Sequence, residues 1–251
     1  MERRYFFMAM LLLCLLILST PAAASPVTFS GTGANPADIQ AVVDNFKAAL
    51  GPLRQIRWDG VPEALSSPNA FPPDFFKASQ GAVFSTPGSG FEVSANSGPG
   101  IEFGNIDPSF PALFEPFSPQ KLFTAVGSNI TDTIFFVRGT DTPGTVNGFG
   151  VVFTDVDLVD STSMEFFGSG DASLGSFLVP AASGDETFSF LGVIFSAGER
   201  VARVRITSGN SADPVVMDDF IYGDPIPLPG TFLLMGTGLA GFWLRRRFMK
   251  N

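Results

Sequence analysis

The chain has 251 residues, which is enough for one good-sized domain and additional processing segments. It contains one cysteine, Cys14, and no histidine, which excludes a Ser-His-Asp triad, a histidine general base and a zinc site built on thiolates or imidazoles. Because Cys14 lies in an N-terminal apolar run that we expect to be removed, the mature protein is expected to have neither a cysteine nucleophile nor a disulfide.

The N-terminus has the three zones of a secretory signal peptide. A basic start with Arg3 and Arg4 is followed by an apolar run, residues 5–18, and by a small-residue end that includes Ala22 and Ala24. Small residues at these two positions predict cleavage by signal peptidase after Ala24. The alternative is a permanent membrane anchor, but the apolar run is shorter than the roughly 20 residues that a membrane-spanning helix needs.

The body between the expected processing segments is strongly acidic. Residues 25–229 carry nine Lys and Arg against 23 Asp and Glu, a net charge of −14. Such a charge repels the phosphates of nucleic acids and anionic lipid surfaces. We therefore expect no nucleic-acid partner, and the acidity suits solubility outside the cell or the capture of a cation such as Ca²⁺.

An amphipathic helix is predicted over residues 36–50. Asn35 is a good N-cap, Pro36 occupies the first helical position, and the pair Gly51-Pro52 ends the pattern. A membrane-surface helix is the alternative, but its polar face is not basic, so we expect the apolar face to pack on the main body. The apolar residues at helical spacing are Ile39, Val42, Val43, Phe46, Ala49 and Leu50.

After this helix the pattern changes to short apolar runs separated by Gly, Pro, Asn, Ser and Asp. Many short strands at this spacing predict an all-β fold, either a β-sandwich or a jelly roll. The 28 Phe, against two Tyr and two Trp, suit a core of packed rings that needs few buried hydroxyl partners. Residues 71–80 are expected to form a loop over the sandwich. The candidate strands are residues 81–85, 91–95, 100–103, 121–126, 133–137, 148–153, 163–167, 176–179, 186–190, 201–207 and 215–222.

Acidic residues are the candidate metal ligands. Asp155 and Asp157 lie at the end of a predicted strand, where alternate residues share a face. Asp59 follows the first aromatic strand, and Asp218 and Asp219 lie near the end of the last one. Since the first and last strands of a sandwich are often neighbours, the latter three acids are expected to converge and bind Ca²⁺, with backbone carbonyls completing the shell. The alternative is that all five are ordinary solvated strand ends and turn caps.

The C-terminus has three parts in a fixed order. The run Pro225-Ile226-Pro227-Leu228-Pro229 is an extended breaker, residues 230–244 are uncharged and mostly apolar, and Arg245, Arg246 and Arg247 form a basic end. The positive-inside rule keeps the arginines in the cytoplasm, so the preceding chain faces outward. The apolar segment predicts a single short transmembrane helix of about 22 Å. Its shortness suits a transient anchor, and an ordinary tail anchor is the alternative.

This order of parts resembles the PEP-CTERM sorting signal, which exosortases recognise. The matching stretch is PLPGTFLLMGTGLAGFWLRRR, residues 227–247, with Leu228 where the family's motif usually has Glu. The sorting motif is accordingly identified with Pro227, Leu228, Pro229 and the arginines at 245–247. The resemblance implies a Gram-negative bacterium that makes exopolysaccharide, and removal of the tail by an exosortase.

Several stretches of the body also resemble a family of exported bacterial proteins that often carry such a tail. The resemblance implies a single domain and supplies no catalytic residue. We therefore divide the chain into a signal peptide (1–24), an exported domain (25–224) and a sorting signal (225–251). The stretches are RWDGVPEAL (57–65), AVFSTPGSGFEVSA (82–95), GFGVVFTDVDL (148–158), RVRITSGN (203–210) and VVMDDFIYGDP (215–225).

The expected partners and location follow from these segments. Signal peptidase and an exosortase would process the chain, and exopolysaccharide is the expected partner of the mature protein. The precursor would be anchored in the inner membrane, and the mature protein would reach the cell surface or the medium.

Three classes of function fit these features. The first is a structural or adhesive surface protein, which the sorting tail favours and the lack of a visible catalytic constellation permits. The second is a calcium-dependent glycan-binding module, with Trp58, Tyr222 and exposed Phe side chains as sugar platforms. The third is a carboxylate glycosidase, which needs two acids about 5 to 10 Å apart. Glutamates are available for it, but nothing in the sequence pairs them: Glu63, Glu92, Glu102 and Glu165.

Overall fold

The computed structural model of the protein describes residues 25–228. The expected signal peptide with Ala22 and Ala24, the expected transmembrane helix, Pro229 and the arginines at 245–247 lie outside this range. Between residues 25 and 228, no helix is both long and apolar enough to cross a membrane.

The described chain is built mainly of short strands with two α-helices. The helices are α1 (Pro36–Leu50) and α2 (Lys77–Gln80), and the 3-10 segments are Trp58–Gly60, Glu63–Leu65, Gly98–Phe103 and Phe110–Ala112. The strands are β1 (Val27–Gly33), β2 (Leu53–Ile56), β3 (Ala82–Ser85), β4 (Gly90–Val93), β5 (Phe123–Val126), β6 (Ile130–Phe135), β7 (Gly144–Thr145), β8 (Gly148–Thr154), β9 (Ser163–Phe167), β10 (Ser173–Leu178), β11 (Phe188–Ile194), β12 (Arg203–Thr207), β13 (Gly209–Asn210), β14 (Asp213–Pro214), β15 (Val216–Gly223) and β16 (Ile226–Pro227).

The strands form two main antiparallel sheets. The larger sheet has seven strands in the order β1-β11-β8-β15-β5-β4, and β2 also pairs with β15. The smaller sheet has five strands in the order β10-β9-β12-β6-β3. Two short pairs, β13 with β14 and β16 with β7, complete the pattern. The predicted all-β class is confirmed.

Strands β8, β11 and β15 are buried along their whole length, because the larger sheet is covered on both faces. One face packs on an aromatic core that also includes side chains of the smaller sheet, such as Phe84, Phe135 and Phe166. The other face is covered by α1, whose Phe46 and Val43 pack against Val152 and Phe190. Residues buried on both faces explain why these strands read as near-continuous apolar runs.

Helix α1 has the predicted bounds. The Asp38 carboxylate accepts the backbone N–H of Asn35 at 2.9 Å, as in a capping box. Phe46 lies over Gly150 and Gly192, which face each other across β8 and β11. A Cβ atom built at Gly192 would be 2.6 to 2.8 Å from the Phe46 ring, so this glycine permits the close approach of helix and sheet.

The sequence prediction was wrong at several places, and one of them is the expected loop over residues 71–80, whose last four residues form helix α2. Residues 100–103 belong to a kinked 3-10 segment rather than a strand, and the positive φ angles of Glu102 and Phe103, 44° and 65°, are incompatible with extended backbone. Strand β1 was not predicted; it is an edge strand with mostly exposed or half-buried side chains, so it lacks an apolar run. Strand β8 ends at Thr154, so Asp155 and Asp157 lie beyond it and the alternation of a strand does not apply to them.

Candidate functional site

The central feature of the site is a bulge in β15. The pairing of β15 with β8 changes register between Met217 and Phe220, so that Asp218 and Asp219 together lie opposite a single residue of β8. In a regular strand two successive side chains point to opposite faces, whereas a bulge re-aims them. Both carboxylates thereby reach the same hydroxyl, that of Ser118.

Three carboxylates surround Ser118, and we call these four residues the Ser118 cluster. The Oγ atom of Ser118 lies 3.0 Å from Asp219 Oδ1, 3.1 Å from Asp218 Oδ1 and 3.4 Å from Asp59 Oδ2. The backbone N–H of Ser118 donates to the second oxygen of Asp218 at 2.9 Å. The structure thus brings together Asp59, Asp218 and Asp219, the three acids expected to converge.

The elements around the cluster fix its members in place. Asp59 lies in the 3-10 segment that follows β2, and its carboxylate accepts the backbone N–H of Lys121 at 3.2 Å. The indole N–H of Trp58 donates to the Asp218 carbonyl at 3.0 Å, which satisfies a backbone group at the bulge. Asp219 also accepts the side-chain amide of Gln55 at 2.5 Å.

The Ser118 cluster contains more short oxygen–oxygen contacts than hydroxyl hydrogens that could bridge them. Ser118 Oγ has one hydrogen to donate but lies within reach of three carboxylates. Burial raises the pKa of Asp218 well above its ordinary value, and the Asp219 charge adds to this effect. Burial also raises the pKa values of Asp219 and Asp59. A proton retained on Asp218 would supply the missing donor and remove one of the repelling charges.

A second group of acids lies around Asp155, which follows β8. Asp155 has a φ angle of 67° and is 2 % exposed, yet its Oδ1 atom has no hydrogen-bond partner. Burial raises the pKa of Asp155 to about 7, and the charges of Asp157, Asp185 and Asp213 act in the same direction. Asp213 accepts the backbone N–H groups of Asp157 and Leu158. We call Asp155, Asp157, Asp185 and Asp213 the Asp155 cluster.

The calcium site expected at the acids remains a prediction. Nowhere in residues 25–228 are three or more acidic side chains arranged so that they could hold a metal ion. Binding at either cluster would therefore require side chains to move together. Among the five acids, the alternative of an ordinary turn cap describes Asp157, whose carboxylate accepts the backbone N–H of Gly184 at 2.7 Å, but not the buried Asp155.

The prediction of Trp58 and Tyr222 as sugar platforms was wrong. Both side chains are fully buried. Trp58 stacks on Phe123 with ring centroids 4.0 Å apart and an interplanar angle of 1°, and the Tyr222 hydroxyl donates to the Gln80 carbonyl at 3.2 Å. Among the Phe residues of the described chain, Phe75 is the most exposed, at 37 %.

The glutamates proposed for a glycosidase have separate partners. Glu92 accepts hydrogen bonds from Ser67 and Asn105, and Glu165 accepts one from Ser173 on the smaller sheet. The pKa of Glu102 is raised by burial, and the charges that add to this effect belong to Glu186 and Glu115. Glu63 pairs with Lys121.

Lys121 and Ser118 are the site residues that sequence reasoning missed. The Lys121 side chain is 1 % exposed, and its three ammonium hydrogens meet Val61 O at 2.6 Å, Ser66 Oγ at 2.8 Å and Glu63 Oε1 at 2.9 Å. An isolated Lys and Ser in a polar stretch give no signal of burial. Their partners come from segments about 60 and 100 residues away along the chain.

The C-terminal end of the described chain is held against the body. Strand β16 pairs with β7, with Ile226 opposite Thr145 and Pro227 opposite Gly144. Pro227 and Leu228, the first two residues of the expected sorting motif, are exposed at the surface. The rest of the motif lies outside the described residues.

Comparisons with known proteins identify this terminal segment. The family model of the PEP-CTERM protein-sorting motif matches residues 225–247. A search of curated proteins gave no significant match.

Two solved structures show a weak likeness to the body. One is the K2 cleaved adhesin domain of Lys-gingipain, at 12 % identity and a TM-score of 0.31, over 78 % of this chain and 99 % of that one. The other is the enzymatically active domain of tailspike protein 4 of bacteriophage CBA120, at 13 % identity and a TM-score of 0.25, over 66 % of this chain and 22 % of that one. Neither likeness is close enough to carry a conclusion about this chain.

The matched motif therefore determines how the protein is handled by the cell. A PEP-CTERM motif implies export, a membrane-anchored precursor and processing by an exosortase. Residues 225–247 of the chain are a PEP-CTERM protein-sorting motif.

Proposed function

We propose that the processed protein is a structural or adhesive component of the exopolysaccharide layer at the cell surface. The observation that carries this proposal is the sorting motif at residues 225–247, which follows the sandwich without a linker. Exosortase processing delivers the sandwich to the outside of the cell, where an acidic, soluble body can remain among hydrated polysaccharides.

The construction of the body supports a passive role of this kind. Two apolar cores lie on opposite faces of one buried sheet, so the fold does not depend on disulfides for its stability outside the cell. The net charge of −14 keeps such a body soluble at high local concentration.

Fractionation of the native host tests this proposal. The processed protein should remain with the extracellular polysaccharide during washing and should be released when that polysaccharide is depolymerised enzymatically. The matched control is the chain with Arg245, Arg246 and Arg247 replaced by neutral residues, which should stay with the membrane. Recovery of the processed protein mainly in the polysaccharide-free medium would contradict the proposal.

Calcium-dependent binding of a surface glycan is a second candidate. It is favoured by the buried Asp155 carboxylate, whose Oδ1 atom lacks a donor. A cation at this carboxylate would need Asp157 and Asp185 to move closer; Asp185 is exposed and adjoins Gly184, so its backbone has room to adjust. The sugar platforms would have to be residues other than Trp58 and Tyr222.

A further inference from the structure

The sorting motif begins inside the folded domain. The backbone N–H of Asp224 donates to Pro52 O at 2.9 Å, and the Asp224 carboxylate pairs with Arg54 at 2.7 Å. Pro225 is buried next to Gly81, and the next two residues form β16. No flexible linker therefore separates the sandwich from the motif, whose match starts at residue 225.

The tether between the fold and the apolar tail is short. The last paired residue is Pro227, and the apolar segment of the tail starts at Gly230. From Leu228 to Gly230 the chain can extend by no more than about 7 Å. The end of the sandwich at β16 must therefore lie next to the membrane while the tail is inserted.

We call this end the exit rim and define it as residues 52–54, 77–81, 136–145, 200 and 224–228. Contacts join these segments: Phe136 N–H donates to Gly81 O at 2.8 Å, and the Arg200 guanidinium donates to Thr145 O at 2.7 Å. Lys77 pairs with Asp141 and lies over the Phe136 ring, 4.7 Å from its centre.

The exit rim differs from the rest of the body in charge. It carries four Lys and Arg against two acids, a net charge of +2, whereas the remaining body has five against 21, a net charge of −16. The acids of the rim, Asp141 and Asp224, are both paired with cations. Arg138 is exposed in the loop between β6 and β7. An anionic surface therefore repels this end less than the remaining body taken as a whole.

The exit rim also exposes apolar side chains. Ile226 is 47 % exposed and Leu228 is 39 % exposed, immediately before the apolar tail. Cations beside exposed apolar groups suit the interface between lipid headgroups and acyl chains.

We propose that the exit rim is a membrane-contact surface, which lies on the anionic phospholipid headgroups around the inserted tail before processing. Strand β15 runs from the opposite end of the sandwich towards this rim. Its eight residues span about 26 Å. The hairpin of β13 and β14, which precedes β15, is consequently held far from the lipid.

A pair of single-cysteine variants tests this orientation. After signal-peptide removal the chain has no cysteine, so Ala78→Cys on the rim and Ser211→Cys in the far hairpin can each carry one fluorophore. Both positions are exposed, so the substitutions preserve the core. The anchored precursor would be placed, without exosortase, in phosphatidylcholine vesicles with about 30 % phosphatidylglycerol and a quencher on the headgroups. Quenching should be several-fold stronger at position 78 than at position 211.

Two further arms test the reasons for this result. About 15 Gly and Ser residues inserted after Leu228 should reduce the difference, because the tether no longer holds the rim at the surface. Arg138→Glu should reduce quenching at position 78 in the anionic vesicles, and less so in vesicles of phosphatidylcholine alone.

Three results would overturn the proposal. Two of these are equal quenching at the two positions and stronger quenching at position 211. The third is shielding of the fluorophore at position 78 from solvent that occurs only when exosortase is added. The last result would assign the rim to the enzyme rather than to lipid. None of them bears on retention in the polysaccharide layer, which concerns the processed protein.

Discussion

Ser118 and Asp218 are joined twice, since the serine N–H donates to Asp218 Oδ2 at 2.9 Å and the serine Oγ lies 3.1 Å from Asp218 Oδ1. This double contact, inside a group of three carboxylates, links a loop of the chain to the bulge of β15. Substitution of Asp218 can test whether its carboxyl group carries a proton in this contact.

Substitutions at Asp218 should separate the need for a hydrogen-bonding group from the need for a charge. Asp218→Asn keeps an acceptor for Ser118 N–H and adds a donor, so its stability at neutral pH should be within about 1 kcal/mol of the wild type. Asp218→Ala leaves buried partners unsatisfied and should cost about 2–3 kcal/mol. Urea denaturation measures both values. If the Asn variant lost as much as the Ala variant, the cluster would need the negative charge, and a bound cation would be favoured.

Asp155 should make stability depend on pH. Its pKa is raised from 3.8 to about 7, so the folded state binds a proton more tightly than the unfolded state. The contribution of Asp155 to the unfolding free energy is therefore largest below about pH 4. About 2–4 kcal/mol of it is lost as the pH rises through about 7. Asp155→Asn should flatten this part of the pH profile of the unfolding free energy. An unchanged profile would show that another group causes it.

Calcium should oppose this loss if it binds at Asp155. At about pH 8 the melting temperature of the wild type should rise with millimolar Ca²⁺ and return with chelator, since a ligand of the folded state stabilises it by mass action. The Asp155→Asn variant should not respond, while Asp219→Asn tests the Ser118 cluster in the same way. Identical melting of the wild type with Ca²⁺ and with chelator would sink the calcium site at both clusters.

Removal of the buried ammonium group should be costly. Lys121→Met preserves most of the side-chain volume but leaves Val61 O and Ser66 Oγ without their donor, so a loss of about 3 kcal/mol is expected. Glu63 is about half exposed, so Glu63→Gln should cost less than about 1 kcal/mol. Equal losses in chemical denaturation would mean that the ion pair, rather than the two neutral acceptors, fixes Lys121.

Gly192 should resist substitution for a steric reason. The methyl group of Gly192→Ala would meet the Phe46 ring at 2.6 to 2.8 Å, so α1 must shift at a cost of about 1–3 kcal/mol. Gly60→Ala is the matched control, because nothing lies within 4 Å of its added Cβ atom. Thermal unfolding of the two variants gives the comparison, and a Gly192→Ala variant as stable as the control would refute close packing of helix and sheet.

The arginine cluster should be required for processing. Replacement of Arg245, Arg246 and Arg247 by neutral residues removes the charges that keep the end of the tail in the cytoplasm. The variant is expected to remain uncleaved in its own host, as judged by the mass of its C-terminal peptide. Wild-type processing of this variant would count against the role assigned to the arginines.

The sequence predicts α1 well because its signals are local. Asn35, Pro36 and Gly51-Pro52 act within one turn of the helix ends, and the apolar residues repeat between them. The strands are predicted where one or both faces are buried. Strand β1 escapes detection because only two of its seven residues, Val27 and Phe29, carry large apolar side chains.

The convergence of Asp59 with Asp218 and Asp219 was predictable because β2 pairs with β15. Ser118 was not, since it reaches the bulge from a loop about 100 residues earlier. The burial of Trp58 was missed for a related reason. A 3-10 turn after β2 directs its ring inward, and no periodic pattern marks such a turn.

The position of Trp58 also gives the processed protein a built-in optical probe. The chain has two tryptophans, and Trp243 lies in the tail that processing removes. Trp58 then becomes the sole indole fluorophore, stacked on Phe123 and hydrogen-bonded to the bulge that carries Asp218. Its emission and near-ultraviolet dichroism can therefore report, without any label, local unfolding where the aromatic core contacts the Ser118 cluster.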